Sequence, residues 1–278
     1  MAKLLEGKPI AERIKEQIKA EVISMPVKPV LASIMIGRNA GAQSYVKSQI
    51  KAAENLGIDY KLHQLAEQAS EEELIRFINN LNNDSSVKGI IIQMPLPQQI
   101  DYKKISQFIA PAKDIEGMHP VNIGKIIFGK AQLLPCTAAA VMELLKETGV
   151  DLYGKEVVVV GHSEIVGKPL ALLLLEKFAT VTVTHIGTSK AGKLEEHVRK
   201  AEILVVAVGK AGLIKGEWIK DGAIVIDVGI NRVEGKIVGD VEFDAAEKRA
   251  SWITPVPGGV GPLTVTMLMR NLIRAVNS

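Results

Sequence analysis

Tyr45 and Gln49 stand four residues apart in Gly41-Ala-Gln-Ser-Tyr-Val-Lys-Ser-Gln-Ile-Lys-Ala-Ala-Glu-Asn-Leu-Gly57, a stretch that reads as a helix. One helical turn separates them, so both side chains leave from one face. The stretch follows an apolar run at residues 29–36 that ends in Gly37. In open α/β sheets, ligands collect where the carboxyl end of a strand passes into the next helix. Tyr45 and Gln49 are therefore expected on one wall of an active-site cleft. Glutamine can orient water or a carbonyl, but it does not ionise and cannot act as base or acid. Lys47 and Lys51 lie two residues either side of it and leave from other faces of the helix. The alternative reading of Gln49, simple surface polarity, sits poorly with Tyr45 on the same face.

A second chemistry-bearing stretch is Val157-Val-Val-Val-Gly-His-Ser-Glu-Ile-Val-Gly-Lys-Pro169: a buried strand, a tight turn and a helix start. Gly161 and Gly167 match the outer glycines of a dinucleotide fingerprint, with Ser163 in place of the middle one. That middle glycine normally lets backbone approach a pyrophosphate. A serine there can still donate its hydroxyl to a phosphate, and the helix N-terminus adds its amides. An ordinary strand-to-helix turn is the alternative, but the strand, helix and strand that follow favour nucleotide binding. Gly161-His-Ser-Glu-Ile165 imitates a nucleophile elbow, yet Ile165 stands where that motif needs a second glycine, so a serine hydrolase is not expected. The next strand ends at Thr184-His185-Ile186-Gly187-Thr188, without the acidic residue of a standard NAD site or the arginine of an NADP site. His185 is either a ribose contact or a solvated loop histidine, and the residues alone favour the second.

Alternating elements position these groups. Ile10, Ile14, Ile18 and Val22 mark an amphipathic helix over residues 8–22, with Pro9 in its first turn. A strand at 29–36, a helix at 43–56 stopped by Gly57, and a strand at 59–65 follow. Ser70-Glu-Glu-Glu73 is a capping box for a helix carrying Leu74, Ile75, Ile78 and Leu81. Gly89-Ile-Ile-Ile-Gln-Met94 has the continuous apolar character of a parallel strand buried on both faces, and Pro95 and Pro97 end it. Residues 110–140 are irregular and rich in proline, which suggests a functional loop and crossover. A helix at 138–148 opens a second series. It has strands at 157–160, 180–184, 203–208 and 223–228, with helices at 169–178 and 194–200 between them. Pro255-Val-Pro-Gly-Gly-Val-Gly-Pro262 precedes a last helix at 263–276. The fold class is α/β, in two α/β domains.

The totals narrow the function further. The chain has 278 residues, 47% hydrophobic and 23% charged, as in globular proteins. No apolar run approaches the roughly 18–20 residues that span a bilayer, and the first residues have no signal-peptide core. One cysteine, Cys136, excludes an internal disulfide and suits a reducing, cytoplasmic setting. A net charge of +3 with interleaved signs leaves no basic stripe for nucleic acid.

Taken together, the motifs resemble the methylenetetrahydrofolate dehydrogenase/cyclohydrolase family. The resemblance rests on Tyr45-Val-Lys-Ser-Gln-Ile-Lys-Ala-Ala, Gln93-Met-Pro-Leu-Pro97, Lys113-Asp-Ile-Glu-Gly117, Pro135-Cys-Thr137 and the Gly161–Gly167 turn. Asp227-Val-Gly-Ile-Asn231 and Pro257-Gly-Gly-Val-Gly-Pro-Leu-Thr264 complete it. It covers nearly the whole chain. It implies a folate-binding domain at 1–138, completed by the helix at 263–278, and a Rossmann-type NAD(P) domain at 139–262. It also implies an active site in the cleft between them and a homodimer formed through the nucleotide domain. The implied reaction is oxidation of methylenetetrahydrofolate to the methenyl form with NADP or NAD, and in many members hydrolysis of methenyl to formyltetrahydrofolate. By resemblance, Tyr45 stacks on the folate, Gln93 bonds near the reacting carbon and Glu116 pairs with the pterin. Gly161, His162, Ser163, Ile165, Gly167, His185 and Ile230 surround the dinucleotide. Pro257, Gly258, Gly259, Gly261 and Pro262 line the junction of nicotinamide and folate. No metal is implied.

The departures fall on the chemistry. Gln49 occupies the family's usual lysine position, Glu116 replaces an aspartate, and Ala42 replaces a common serine. His162 and Ile186 stand where some NADP-using members have Arg and Ser, which points towards NAD. Loss of the lysine removes a proton carrier, so cyclohydrolase activity is expected to be absent or weak. The alternatives are a fully bifunctional enzyme and a folate- or nucleotide-binding paralogue with little turnover.

Overall fold

The computed structural model describes residues 1–277. In chain order the elements begin with β1 (Lys3–Leu4) and α1 (Gly7–Ser24), then β2 (Val30–Ile36), α2 (Ala40–Leu56) and β3 (Asp59–Leu65). There follow α3 (Glu71–Asn83), β4 (Val87–Ile92), α4 (Tyr102–Ile105) and α5 (Pro120–Ile127). The second series is α6 (Cys136–Glu147), β5 (Glu156–Val160), α7 (Gly167–Leu175), β6 (Thr180–Thr184), α8 (Ile186–Lys190), α9 (Leu194–Lys200) and β7 (Ile203–Val206). The chain ends with β8 (Ile224–Asp227), the hairpin β9 (Asn231–Val233) and β10 (Lys236–Val238), α10 (Phe243–Ala246), β11 (Trp252–Ile253) and α11 (Gly261–Val276).

The chain divides into two compact units. One contains Arg13–Cys136 and the residues from Val265 onward; the other contains Met1–Glu12 and Thr137–Thr264. This differs from the division expected from sequence in that the first twelve residues group with the nucleotide-type unit. The reason is a strand pairing: β1 joins β11 in parallel, with Lys3 opposite Trp252 and Leu4 opposite Ile253. Two residues carry too little pattern to announce a strand. Ser278, the end of the expected last helix, lies outside the described residues.

The Arg13–Cys136 unit is built on a parallel sheet in the order β3-β2-β4. Its middle strand, β2, is buried along all seven residues, which is why it reads as an unbroken apolar run. Ala32, Ile34, Leu74, Ile78, Ile90, Ile92 and Ile105 form the core. The capping box forms as expected: Ser70 Oγ accepts from the Glu73 amide (3.2 Å) and Glu73 Oε2 accepts from the Ser70 amide (2.9 Å). Gly57, at φ 75°, ends α2 in the left-handed conformation that favours glycine.

The other unit has a six-stranded parallel sheet, ordered β1-β11-β8-β7-β5-β6. From β5 the chain moves to β6 on one side, then crosses to β7 on the other. The order therefore reverses at the carboxyl end of β5, where doubly wound sheets bind their ligands. Val157, Val159, Ile203, Val205, Val225 and Ile226 are fully buried, as expected of strands covered on both faces. Among the described residues, no helix is long and apolar enough to cross a membrane.

Candidate active site

In α2 the buried positions are Ala42, Val46, Gln49, Ala53 and Leu56. These follow the three- and four-residue spacing of one helix face, and Gln49 is the polar member of an otherwise apolar stripe. Gln49 is fully buried, whereas Tyr45 is 41% exposed and Lys47 and Lys51 are exposed. A surface role for Gln49 is thereby excluded. Its Oε1 accepts two hydrogen bonds, from Tyr60 OH (2.7 Å) and Gln93 Nε2 (2.9 Å). Gln93 Nε2 also donates to Ser33 Oγ at 3.0 Å. Gln49 Nε2 is buried without a hydrogen-bond partner among the described residues. A buried donor left unpaired costs about 1–3 kcal/mol, so the site favours a ligand that brings an acceptor to it.

Glu116 reaches the same place from a tight turn. Gly117 N donates to Asp114 O (3.1 Å), and Gly117 has φ 70°. A Cβ at 117 would collide with backbone at Leu134 and Pro135, so glycine is required there. Burial, then the charge of Asp114, pushes the Glu116 carboxyl up to about 8; the Tyr102 hydroxyl and Ile92 amide pull the other way. Burial also raises Tyr45, helped by the charges of Cys136 and Glu116 and opposed by the Gln49 amide. Tyr60 is pushed up to about 12 by burial. Both tyrosines therefore remain neutral phenols at physiological pH. Tyr45, Gln49, Gln93 and Glu116, selected from sequence, are brought together in one unit.

Several residues there were not singled out from sequence. Ser33 and Tyr60, on β2 and β3, fix the amides of Gln93 and Gln49. Asn271 of α11 is buried and donates to the carbonyls of Ile115 and Leu134, both at 2.8 Å, so it holds the two segments flanking Glu116. Lys113, although part of a family motif, donates to Leu81 O (2.9 Å), Asn82 O (2.7 Å) and Asp84 O (2.7 Å). It satisfies the end of α3, a task that residue type alone does not reveal. Two peptide bonds are cis, Met94–Pro95 and Val256–Pro257, each within a motif noted above.

In the other unit, a cavity of about 380 Å³ opens at the carboxyl ends of β5, β6 and β7. Gly161, His162, Ser163, His185 and Ile186 line it, with Ser189 and Lys210. Gly161 has φ 118°, and a Cβ there would strike the Ala207 carbonyl oxygen. Ser163 Oγ accepts from the Val166 amide (3.1 Å), which leaves its hydroxyl proton available to a ligand. His185 is not a free loop histidine. Its Nδ1 accepts from Gly187 N (3.1 Å) to cap α8, and its ring meets His162 edge-on at 4.9 Å. Ile165 and Gly167 are not among the lining residues. Gly167 instead abuts the Gly161 carbonyl, where a side chain would not fit.

A second cavity of the same unit, about 570 Å³, is lined by Ile230, Pro257, Gly258, Gly259, Gly261 and Pro262, together with Val166 and Asp227. Asp227 and Asp240 tie its walls to the first cavity. Asp227 accepts from the amides of Gly229 (2.9 Å), Asp240 (3.0 Å) and Val241 (2.9 Å). Asp240 accepts from the amides of Val208 (2.8 Å), Gly209 (2.9 Å) and Lys210 (2.8 Å), and from Asn231 Nδ2 (2.9 Å). Asp227 was noted only as part of a motif, and nothing at the residue level marks Asp240.

Comparison with known proteins fits this geometry. Residues 5–116 match the tetrahydrofolate dehydrogenase/cyclohydrolase catalytic domain, and residues 135–278 match that family's NAD(P)-binding domain. The chain belongs to the tetrahydrofolate dehydrogenase/cyclohydrolase family. It is an NAD(P)-dependent enzyme of that family, with the reduced-folate chemistry its catalytic domain serves. The bifunctional protein FolD of Acetivibrio thermocellus is 51% identical over 278 residues, covering 99% of this chain and 96% of the relative. Among solved structures, the bifunctional FolD of Campylobacter jejuni superposes with a TM-score of 0.96 at 44% identity, covering 100% and 99% of the two chains. The Trypanosoma brucei methylenetetrahydrofolate dehydrogenase-cyclohydrolase, complexed with NADP and an inhibitor, gives 0.93 at 40%, covering 99% and 97%.

Proposed function

We propose that this enzyme oxidises methylenetetrahydrofolate to methenyltetrahydrofolate with NAD(P) and hydrolyses the methenyl product poorly. The observation that carries this is Gln49: buried, non-ionisable, and with its carbonyl oxygen occupied by Tyr60 and Gln93.

The two reactions ask for different things. In the oxidation, the substrate nitrogen lone pair expels the hydride, so the protein chiefly positions and desolvates. Tyr45 offers a neutral, half-exposed ring for the folate, and Glu116 offers a carboxyl for the pterin's N–H groups. Gln93 is held at the strand end by Ser33 and Gln49. Bound NAD(P) supplies the hydride acceptor. The first cavity fits the adenosine and phosphate half, through Gly161, His162, Ser163 and His185. The glycine- and proline-lined second cavity suits the nicotinamide half. Asp240, through the three amides it binds, keeps the 208–210 segment in place for the cofactor.

Hydrolysis, in contrast, needs protons moved during water attack and ring opening. Gln49 has no proton to exchange, and general acid–base help is typically worth about 10²–10⁴-fold. The preferred cofactor is read as NAD, because His162 and Ile186 carry no fixed positive charge. Lys210 is the lining residue able to reverse that preference. A homodimer through the nucleotide unit and a cytoplasmic setting belong to the same reading.

A fully bifunctional enzyme is the second reading, and the names of the closely similar FolD relatives favour it. One preparation assayed for methylenetetrahydrofolate oxidation with NAD or NADP, and for methenyltetrahydrofolate hydrolysis, separates them. Oxidation with little hydrolysis supports the proposal. Comparable rates support bifunctionality, and neither activity would favour a binding paralogue.

A further inference from the structure

We infer that the β9–β10 ribbon is a strap that closes over the nicotinamide half of the dinucleotide, with Ile237 covering the ring and Arg232 pairing with the pyrophosphate. This role rests on the assignment of the second cavity given above and adds two cofactor contacts from a part of the chain that the sequence did not mark.

The ribbon is pinned at its root and free at its tip. At the root, Asn231 Nδ2 donates to Asp240 Oδ1 (2.9 Å) and Val238 O (3.4 Å), and the Asp240 amide donates to Asp227 Oδ1 (3.0 Å). Both aspartates are buried, and each sits against a glycine. A Cβ at Gly229 would strike the Asp240 carboxylate, and one at Gly239 would strike that of Asp227. Beyond this root, β9 and β10 pair with each other and stand outside the six-stranded sheet. A two-stranded ribbon is marginally stable by itself. Its turn is Glu234-Gly235, at φ 49° and 80°, the two left-handed residues of a type I′ turn, whose twist matches that of the strands. The ribbon can therefore tilt about its root as one piece.

There is space on both of its faces. Side chains alternate along a strand, and residues opposite one another across a pair share a face. On one face, Val233 and Val238 line a cavity of about 520 Å³ with Val241, Phe243 and Val256. On the other, Ile237 lines the second cavity of about 570 Å³, with Pro257 and Gly258. Arg232 pairs with Ile237 across the ribbon, so its side chain leaves towards the second cavity as well. Asp227 and Val256 line both cavities, so the ribbon stands between them and can lean into either. What favours leaning into the second is what that face carries. Ile237 is 41% exposed, and Ile230, beside the root and lining the same cavity, is 68% exposed. Arg232 is exposed and has no ion pair or hydrogen bond among the described residues. A dinucleotide supplies what these groups lack: a flat ring against which isoleucine is removed from water, and phosphate oxygens that a guanidinium fork binds in pairs.

The test uses the full chain with NAD and with ADP-ribose, which keeps the pyrophosphate and lacks the nicotinamide. Hydrogen exchange should show the amides of residues 232–237 protected by saturating NAD and much less by ADP-ribose. In calorimetric titrations, Ile237→Ser should weaken NAD about fivefold and leave ADP-ribose unchanged, because the lost contact is to the ring. Arg232→Gln should weaken both ligands about tenfold and flatten the dependence of affinity on salt, because the lost contact is to phosphate. Both side chains are exposed in the free protein, so melting curves of the two variants should match the unaltered chain. A ribbon that is only a static wall would give a different pattern: exchange at 232–237 unmoved by NAD, or both variants binding the two ligands as the unaltered chain does. Either result would overturn the inference and leave the dehydrogenase reading standing. NAD affinity reduced equally with ADP-ribose affinity in Ile237→Ser would also overturn it, since the ring would then not be what Ile237 covers. Failure to bind NAD or NADP at all would instead remove the cavity assignment on which it rests.

Discussion

Replacing Gln49 by lysine is the most demanding test of the site. The side chain to be replaced has its oxygen between Tyr60 OH and Gln93 Nε2, at 2.7 and 2.9 Å. Lysine brings three donors and no acceptor. Tyr60 can turn its hydroxyl to accept from the new ammonium, but the Gln93 amide must rotate or lose a partner. One stranded buried donor costs about 1–3 kcal/mol, equivalent to a fall of several degrees in melting temperature. Against this, the ammonium sits in a buried setting that lowers its pKa, with Glu116 in the same site to offset part of that burial. A proton carrier is introduced, and the expected gain in methenyltetrahydrofolate hydrolysis is about 10²-fold or more, or roughly 3 kcal/mol of barrier. Oxidation of methylenetetrahydrofolate should change by much less, because positioning dominates that step. The assay is the ratio of the two rates in one preparation, before and after substitution. If the unaltered enzyme hydrolyses as fast as it oxidises, or if folded Gln49→Lys protein leaves the ratio unchanged, the reasoning from ionisation at position 49 is wrong.

Other expectations follow from particular contacts. Asp240→Ala removes the acceptor for three backbone amides and for Asn231; stability should drop by about 3 kcal/mol, and NAD(P) affinity should fall at least tenfold in a direct binding titration. Gly161→Ala forces a side chain into φ 118° and against the Ala207 carbonyl, so nucleotide binding should be lost before folate binding, with about 1–3 kcal/mol of backbone strain. For Glu116 the folded-state carboxyl lies near 8, above its ordinary 4.5. The folded state thus holds a proton that the unfolded chain has already lost, and stability contributed there is lost as pH rises through about 8. Denaturant titrations from pH 6 to pH 9 should show this decline in the unaltered protein and a smaller one in Glu116→Gln; equal slopes would contradict it.

Much of the architecture was legible because apolar patterning and caps are local. The strand at 59–65 and the helix at 194–200 match their observed bounds, and the Ser70–Glu73 box closes as its spacing requires. Short elements were not legible. β1 and β11 owe their existence to pairing partners elsewhere, β9 and β10 are only three residues each, and α5 and α8 are too short to show a period. The site divides in the same way. Tyr45 and Gln49 are recognisable because a helix places residues four apart on one face, and Gly161 because a strand-to-helix turn admits little else.

Residue types and order alone therefore determined the family, the α/β class and the absence of an ionisable side chain at position 49. They also determined that Gln49 has something chemical to explain. Only the tertiary structure decided what Gln49 does with its atoms, since its two donors come from Tyr60 and Gln93, distant in sequence and joined by the parallel sheet. The same holds for Asn271, which bonds to carbonyls more than 130 residues away, and for Asp240, which gathers amides about 30 residues distant. Sequence fixes which groups can ionise or donate. Burial and the identity of the neighbours, both long-range properties, fix whether Glu116 holds its proton and whether the Gln49 amide has a partner.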